Sequence, residues 1–228
     1  MAGEAGFAYE VKLYEKLKKA NLVPSGFGRP AGSDSNLPDG MFHRKGKDYK
    51  FEIKLDLKAD FGQGSLEYDV AKKKWILGGA QTDSGMAMRK FLESMRVAEI
   101  VNKHWGPKGP PMKAVVPLKD FKQKHVDHDY KHFTDTHVSI KSEAVENYYG
   151  VKHTHYIQIG KFGMYYMLRD IAGLKIPRFS PQLSLRIRLK RGGSHPIYNY
   201  RFSTAIQVKG TIAKSPVDLD EDVQFLRM

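Results

Sequence analysis

The stretch PDGMFHRKGKDYKFEIKL, residues 38–55, decides the fold that we expect for this chain. It contains two runs rich in apolar and aromatic residues, 41–45 and 49–55, and the short polar turn Gly46-Lys47-Asp48 joins them. Two such runs on either side of a short turn are typical of a β-hairpin. The stretch therefore predicts two neighbouring strands near the start of the chain.

Three ionisable residues of this hairpin are placed to share one site. Asp39 ends a glycine-containing loop just before the first strand, and Glu52 and Lys54 lie two residues apart on the second. A strand sends alternate side chains to the same face, so Glu52 and Lys54 project together. The residues that project to the other face, as a core would require, are Phe51, Ile53 and Leu55.

A magnesium ion is a chemically suitable partner for these carboxylates, because it prefers oxygen ligands and keeps several waters. An ion held by Asp39 and Glu52, with the carbonyl of Ile53 as a further ligand, could activate water and neutralise a phosphate. Lys54 could orient that water or stabilise the charge that develops on the phosphate. The alternative is an ordinary surface hairpin with solvated Glu52 and Lys54, in which Asp39 is a turn residue.

The order of helix, loop, Pro-Asp, strand and Glu-x-Lys on the next strand resembles the PD-(D/E)XK nucleases, the restriction-endonuclease-like superfamily. The resemblance covers roughly residues 1–105 and implies that Asp39, Glu52 and Lys54 are catalytic. It also implies Mg²⁺ as cofactor, with Mn²⁺ able to substitute. The family often places a glutamate of the first helix near the metal, and Glu10 fits, because it falls on the apolar side of its helix.

The rest of the chain predicts an α/β protein. Apolar positions at helical spacing predict helices at 4–20 and 84–104, and further strands are expected at 65–70, 75–77, 154–159 and 162–168. We expect a restriction-endonuclease-like core, with a central mixed β-sheet flanked by helices and a basic β-hairpin-containing elaboration in the second half. Residues 1–105 would carry the metal site, and residues 106–228 would complete the sheet and contact DNA. One continuous domain is also compatible with the pattern.

The charge of the chain points to a polyanionic partner. The chain has 38 Lys and Arg against 25 Asp and Glu, a net charge of +13, which attracts polyanions. The excess is concentrated after residue 100, where 21 basic residues face 11 acidic ones. A membrane surface is not the expected partner, because neither a basic amphipathic helix nor a lipid anchor is visible. The alternative is a basic surface that only keeps the protein in solution.

A second hairpin, Leu183 to Lys209, carries part of this charge. Its first strand alternates apolar residues with Arg186, Arg188 and Lys190, and the turn Gly192-Gly193-Ser194 follows. A basic two-stranded ribbon can track phosphates or enter a groove. The expected DNA-binding residues are Arg186, Arg188, Lys190, Arg191 and Arg201. The alternative is a half-exposed strand with solvated arginines.

Several classes of site are excluded or disfavoured. The chain has no cysteine, which excludes disulfides, thiolate-bound metals and a cysteine nucleophile. No apolar run approaches the roughly 20 residues that span a bilayer, and the N-terminus does not resemble a signal peptide, so we expect a cytoplasmic protein. A transition-metal site is conceivable at His125, His128, His132, His153 and His155. Phosphate contacts or plain surface positions are the favoured interpretation of these residues.

The function that the sequence predicts is hydrolysis of DNA phosphodiester bonds by a metal-dependent endonuclease. Two cuts on a duplex or junction are most simply made by two active sites, so a homodimer is the natural assembly. One alternative is a nucleic-acid-binding protein without catalysis. Another is a nuclease that acts on RNA or on DNA ends.

Overall fold

The protein is described by a computed structural model that covers residues 2–28, 30, 37–79, 81–133, 135–191 and 200–227, without the side chains of Ala2, Arg191 and Tyr200. Its helices are α1 (Ala2–Lys19), α2 (Asp83–Ser94), α3 (Val97–Trp105), α4 (Met112–Val115), α5 (Gln123–His132) and α6 (Ser142–Val151). Its strands are β1 (Gly40–Arg44), β2 (Lys47–Lys54), β3 (Gln63–Asp69), β4 (Lys74–Leu77), β5 (Thr136–Ile140), β6 (Thr154–Ile159), β7 (Gly163–Tyr166), β8 (Gln182–Arg191) and β9 (Tyr200–Lys209). Within the described ranges, no helix combines the length and the apolar character needed to cross a membrane.

The strands form two sheets, whereas we expected one central mixed sheet with a basic hairpin added to it. The four-stranded sheet, in the order β1-β2-β6-β7, is mixed, because β2 and β6 are parallel and the other neighbours antiparallel. The five-stranded sheet, in the order β4-β3-β9-β8-β5, is antiparallel throughout. We call them the mixed sheet and the antiparallel sheet. Each takes strands from both sides of residue 105, and the predicted mixed α/β class is confirmed.

The first hairpin has a tighter turn than predicted. Lys45 and Gly46 both have positive φ, 49° and 75°, and Arg44 pairs directly with Lys47. Two central residues with positive φ define the two-residue hairpin loop whose twist matches the strands. Lys47 and Asp48 therefore already belong to β2 and are not part of the turn.

One face of the mixed sheet packs on α1. Leu13 and Leu17 of the helix are buried against Phe42 and Phe51, and the Phe42 ring lies 5.7 Å from that of Tyr156. A methyl group on Gly40 would lie 2.4 Å from the Phe51 ring, so only glycine fits directly after Asp39. This packing fixes Tyr49, Phe51 and Ile53 of β2 in the core and turns Glu52 and Lys54 to the other face.

The opposite face of the mixed sheet shares a core with the antiparallel sheet. Ile157 and Ile159 of β6 belong to the same buried cluster as Tyr149 of α6 and Phe202 of β9. The Tyr149 hydroxyl donates to the carbonyl of Phe61, a fully buried residue between β2 and β3. Helix α6 is thereby held directly against the loop that leaves the end of β2.

The helix predicted at 84–104 is broken into α2 and α3. Arg96 adopts a left-handed conformation, with φ 53°, between the two helices. The change of direction lets Phe91 and Leu92 of α2 and Trp105 of α3 enter the same core. Neither glycine nor proline marks the break in the sequence, so helical periodicity alone could not reveal it.

The chain after β9 is tied to both α1 and the mixed sheet. The fully buried amide of Gln158 donates to Asp218 at 2.7 Å, and its oxygen accepts from the backbone N–H of Leu219. The Tyr9 hydroxyl donates to Asp220 at 2.7 Å. These bonds satisfy polar groups that would be costly to bury alone, and they hold α1 in place on the sheet.

Candidate functional site

The structure brings Asp39, Glu52 and Lys54 together at the end of β2. Lys54 Nζ lies 2.6 Å from Glu52 Oε1 and 3.6 Å from Asp39 Oδ2. Glu52 is only 7% exposed, so it is not the solvated surface residue of the alternative interpretation. The three side chains meet as strand alternation predicts, while their catalytic role stays a prediction.

The hairpin itself positions Asp39. The β1–β2 ladder ends at the pair Gly40–Phe51, and the backbone N–H of Ile53, one rung further, donates to Asp39 Oδ2 at 3.1 Å. The N–H and C=O of one strand residue face the same strand edge. The Ile53 carbonyl therefore faces the edge where Asp39 lies, which is compatible with its expected role as a ligand.

A fourth charged residue, Lys152, joins the site from the far end of α6. Its Nζ lies 3.3 Å from Glu52 Oε2, and it lies over the rings of Tyr148 and Tyr149 at 5.4 and 5.2 Å from their centroids. Lys152 is not among the residues predicted from sequence, because it lies 100 positions from Glu52. No local spacing signals this contact, which follows from the parallel pairing of β2 with β6.

The four groups strongly perturb one another. Burial and the negative charge of Glu52 raise the pKa of Asp39 to about 6, although Lys54 opposes the shift. Burial also acts to raise the pKa of Glu52, but the positive charges of Lys54 and Lys152 outweigh it and lower that pKa to about 2. At neutral pH both acids are therefore ionised, and Asp39 is the carboxylate that the cluster stabilises less well.

The donor set of the site fits a hard divalent cation. Among the residues that the structure describes, no group of three or more His, Cys, Asp or Glu side chains is placed to hold a metal ion. Magnesium, however, is commonly held by one or two carboxylates together with waters. Burial and, after it, the negative charge of Glu52 raise the pKa of Asp39, so the two acids repel each other where little water solvates them. A divalent cation between Asp39 and Glu52 would relieve that repulsion.

Glu10 lies on α1 and not on the hairpin that carries Asp39 and Glu52. It is half-buried on α1, whose neighbouring residues Tyr9 and Leu13 pack on the face of the mixed sheet opposite to Glu52. It does not form a three-acid group with Asp39 and Glu52 within the described part of the chain. Its role as a metal ligand stays a prediction.

The predicted DNA-facing residues share the outer face of the antiparallel sheet. Leu185, Ile187 and Leu189 are buried, as the alternation predicts. The basic residues that alternate with them on β8 lie on the other side of the sheet, together with the exposed Arg201, which pairs with Lys190 across the strands. We call this set the basic face: Arg186, Arg188, Lys190 and Arg201. The Arg191 side chain and the turn Gly192-Gly193-Ser194 lie outside the described residues.

The second hairpin is not a free two-stranded ribbon, which corrects the expectation from its sequence. Strand β9 pairs with β3, and β8 pairs with β5, so both strands lie inside the antiparallel sheet. Arg186 also donates to Asp135 next to β5, with its Nε 2.8 Å from the carboxylate. Any polyanion would therefore meet a one-sided sheet surface, on which Arg186 is already partly neutralised.

The histidines form packing contacts in the described part of the chain. The rings of His128 and His132 lie 4.0 Å apart on α5, as the predicted helical face requires. The neighbouring Asp129 is fully buried and accepts the backbone N–H groups of Met112 and Lys113 at 2.8 and 3.4 Å. No metal-binding group arises from these residues or from His125, His153 and His155 among the described residues.

Fold and site together define a mixed α/β protein in which two acids and two lysines, all largely shielded from solvent, meet at one face of the mixed sheet. No family model, no curated protein and no solved structure matches this chain. What the chain does must therefore be argued from the chemistry of this site.

Proposed function

We propose that the protein is a metal-dependent DNA endonuclease that hydrolyses phosphodiester bonds. The observation that supports this most is the position of Lys54, whose ammonium group lies beside the buried carboxylate of Glu52 and the largely buried carboxylate of Asp39. Burying several charges together is costly, and perturbed ionisable groups cluster at functional sites. The net charge of +13 supports a polyanionic substrate.

The proposed roles follow from position. Asp39 and Glu52 would hold Mg²⁺ or Mn²⁺, with the Ile53 carbonyl as a further ligand. The ion, when bound, would supply an activated water and neutralise charge on the phosphate. Lys54, beside both acids, orients the attacking water or donates to a phosphate oxygen. Its positive charge thereby stabilises the transition state at a site where little solvent screens it.

The remaining parts of the proposal concern assembly and specificity. DNA would be held by the basic face. Most of its positive charge would come from Arg188, Lys190 and Arg201, because Asp135 already pairs with Arg186. The restriction-endonuclease-like core and the homodimer belong to this proposal. The homodimer rests on the argument that two cuts need two active sites. Sedimentation with and without DNA measures the number of chains in the assembly.

One observation favours a second candidate, a nucleic-acid-binding protein without catalysis. Both acids of the site already have a lysine within 4 Å, so the cluster could be a buried ion network that serves only the fold. Purified protein incubated with Mg²⁺, Mn²⁺ or chelator separates the two. We expect nicking of supercoiled plasmid with either metal and none with chelator.

The choice of substrate decides between the remaining alternatives. Circular duplex, linear duplex, a branched junction and single-stranded RNA should be compared at equal concentration. Cleavage of circular DNA identifies an endonuclease, whereas cleavage of linear DNA or RNA alone points to an end-directed or RNA-directed enzyme. Binding to DNA without cleavage of any substrate would favour the non-catalytic candidate.

The basic face should govern the salt dependence of DNA binding. Removing one lysine or arginine that neutralises a phosphate should lower the slope of log affinity against log salt by roughly 0.9 for duplex DNA. We expect this decrease for Arg188→Gln and for Lys190→Gln, and a smaller one for Arg186→Gln, because Asp135 already pairs with Arg186. Fluorescence anisotropy at several salt concentrations, on several DNA sequences, measures the slopes.

The exposed Lys103 on α3 offers a matched control, because Lys103→Gln removes one charge away from the basic face. Weakening on every sequence alike indicates phosphate contacts, and relaxed sequence preference indicates base reading. Unchanged affinity and slope in the Arg188 and Lys190 variants would remove the basic face from the proposal.

A further inference from the structure

Glu52 is held on both sides by lysines of different origin. Lys54, two residues further along β2, lies 2.6 Å from Oε1 and also 3.6 Å from Asp39. Lys152, at the end of α6, lies 3.3 Å from Oε2. Lys54 is thus shared by both acids, whereas Lys152 is held more loosely.

The ammonium group of Lys152 has partners besides Glu52. Its Nζ lies 5.4 and 5.2 Å from the ring centroids of Tyr148 and Tyr149, and the side chain is 19% exposed. The Tyr149 ring is itself fixed, because its hydroxyl donates to the Phe61 carbonyl. A lysine ammonium is a compact charge on a flexible four-carbon stem. Rotation about the single bonds of that stem can therefore carry the ammonium group by a few ångströms.

We propose that Lys152 is an exchangeable counter-ion of Glu52, a role that rests on the proposed function. In the metal-free protein, Lys152 neutralises the Oε2 atom of Glu52. When a divalent cation is bound by Asp39 and Glu52, the Lys152 ammonium leaves that oxygen and contacts a non-bridging oxygen of the scissile phosphate. Lys152 is then a second catalytic lysine, distinct from Lys54.

Electrostatics is the reason for the exchange. A divalent cation and a lysine ammonium group beside the same carboxylate, Glu52, repel each other. The repulsion is stronger where little water screens it. Lys54 interacts with two carboxylates, so the loosely held Lys152 is the group that gives way. The negative charge nearest to its new position is that of the substrate phosphate. No bond to Lys152 is made or broken covalently, and its proton stays on Nζ throughout.

The exchange predicts opposite changes in metal binding and cleavage. Lys152→Met keeps an apolar side chain over the tyrosine rings and removes the charge. Without DNA, its affinity for Mn²⁺ should rise about tenfold, because no ammonium competes for Glu52. Cleavage at saturating Mn²⁺ should fall about a hundredfold, because one cation that stabilises the phosphate is absent. Calorimetric Mn²⁺ titration and single-turnover cleavage measure the two quantities.

Three further variants make the test decisive. Lys152→Gln should repeat both changes and replaces Lys152→Met if that variant melts early. Lys152→Arg should keep metal affinity near wild type and restore part of the cleavage. Lys103→Gln should match wild type in both measurements.

The possible outcomes are distinguishable. A folded neutral variant with unchanged or weaker Mn²⁺ affinity overturns the exchange, as does full cleavage at saturating metal. Wild-type protein that binds no Mn²⁺, or Asp39→Asn that binds it equally well, overturns the proposed function itself. If Lys152 had only a structural role, its neutral variants would have lower stability and slower cleavage without tighter metal binding, which would also overturn the exchange.

Discussion

Replacing either carboxylate of the site should abolish DNA cleavage and leave DNA binding nearly unchanged. In the proposed mechanism Asp39 and Glu52 are the two acidic ligands that meet at Lys54, so the neutral variants Asp39→Asn and Glu52→Gln remove metal affinity together with the chemistry. We expect the cleavage rate to fall at least about a thousandfold, which corresponds to about 4 kcal/mol in the barrier. Lys54→Ala should lose cleavage to a similar extent while retaining Mn²⁺ binding.

Single-turnover cleavage, Mn²⁺ calorimetry and fluorescence anisotropy together test this expectation. Asp48→Asn is the matched control, because Asp48 is an exposed acid on the same strand that pairs with His43 away from the site. It should behave as wild type in all three measurements. Full activity in either carboxylate variant would contradict the assignment of the site.

The same two substitutions should change stability in opposite directions. The folded-state pKa of Asp39, about 6, lies above the ordinary value of 3.8, so its ionised form is disfavoured by folding. The penalty is present above pH 6 and is relieved as the pH falls toward 3.8. At pH 7.5 and without metal, Asp39→Asn should therefore raise the free energy of unfolding by about 1–2 kcal/mol.

The pKa shift of Glu52, and therefore its contribution to stability, has the opposite sign. Its folded-state pKa, about 2, lies below the ordinary value of 4.5, so the ionised form stabilises the fold. This contribution is fully present above pH 4.5 and disappears as the pH falls through 2. Glu52→Gln should therefore lower the free energy of unfolding by about 2–3 kcal/mol at pH 7.5. The deficit should shrink as the solution is acidified from pH 4.5 toward 2.

Urea denaturation at pH 7.5, at pH 4 and near pH 2, with chelator present, measures both effects: the change for Asp39→Asn appears by pH 4 and that for Glu52→Gln below it. A gain of stability on removal of the Asp39 charge would mean that the carboxylate is kept at a cost to the fold, as functional residues often are. A clear decrease in both variants would instead favour a buried ion network that serves only the structure. The Asp48→Asn variant again serves as control.

Three of the four residues of the candidate site could be predicted because their geometry is local. Glu52 and Lys54 share a face through strand alternation alone, and Asp39 reaches them across a hairpin whose loop is short. The alternation of Leu185, Ile187 and Leu189 with basic residues on β8 followed from the same rule. In each case the deciding distance is set by covalent neighbours and backbone geometry.

Other features depend on contacts between distant parts of the chain. Lys152 reaches Glu52 only because β6 pairs in parallel with β2. Arg186 is neutralised only because β5 brings Asp135 beside β8. The left-handed conformation of Arg96 changes the direction of the chain, so that α2 and α3 both pack in the same core. Strand order and helix breaks of this kind are chosen by the packing of the whole core, which no local pattern records.

The sequence by itself thus determined the two hairpins, the alternation of faces along β2 and β8, the meeting of Asp39, Glu52 and Lys54, and the basic character of the second half. Only the tertiary structure decided that the strands divide into two sheets and that Glu52 lies between two lysines. The physical reason is the separation along the chain over which each interaction acts. Alternation and turn geometry act over a few residues, whereas the pairing of β2 with β6 and the contact of Lys152 with Glu52 depend on chain segments about a hundred residues apart.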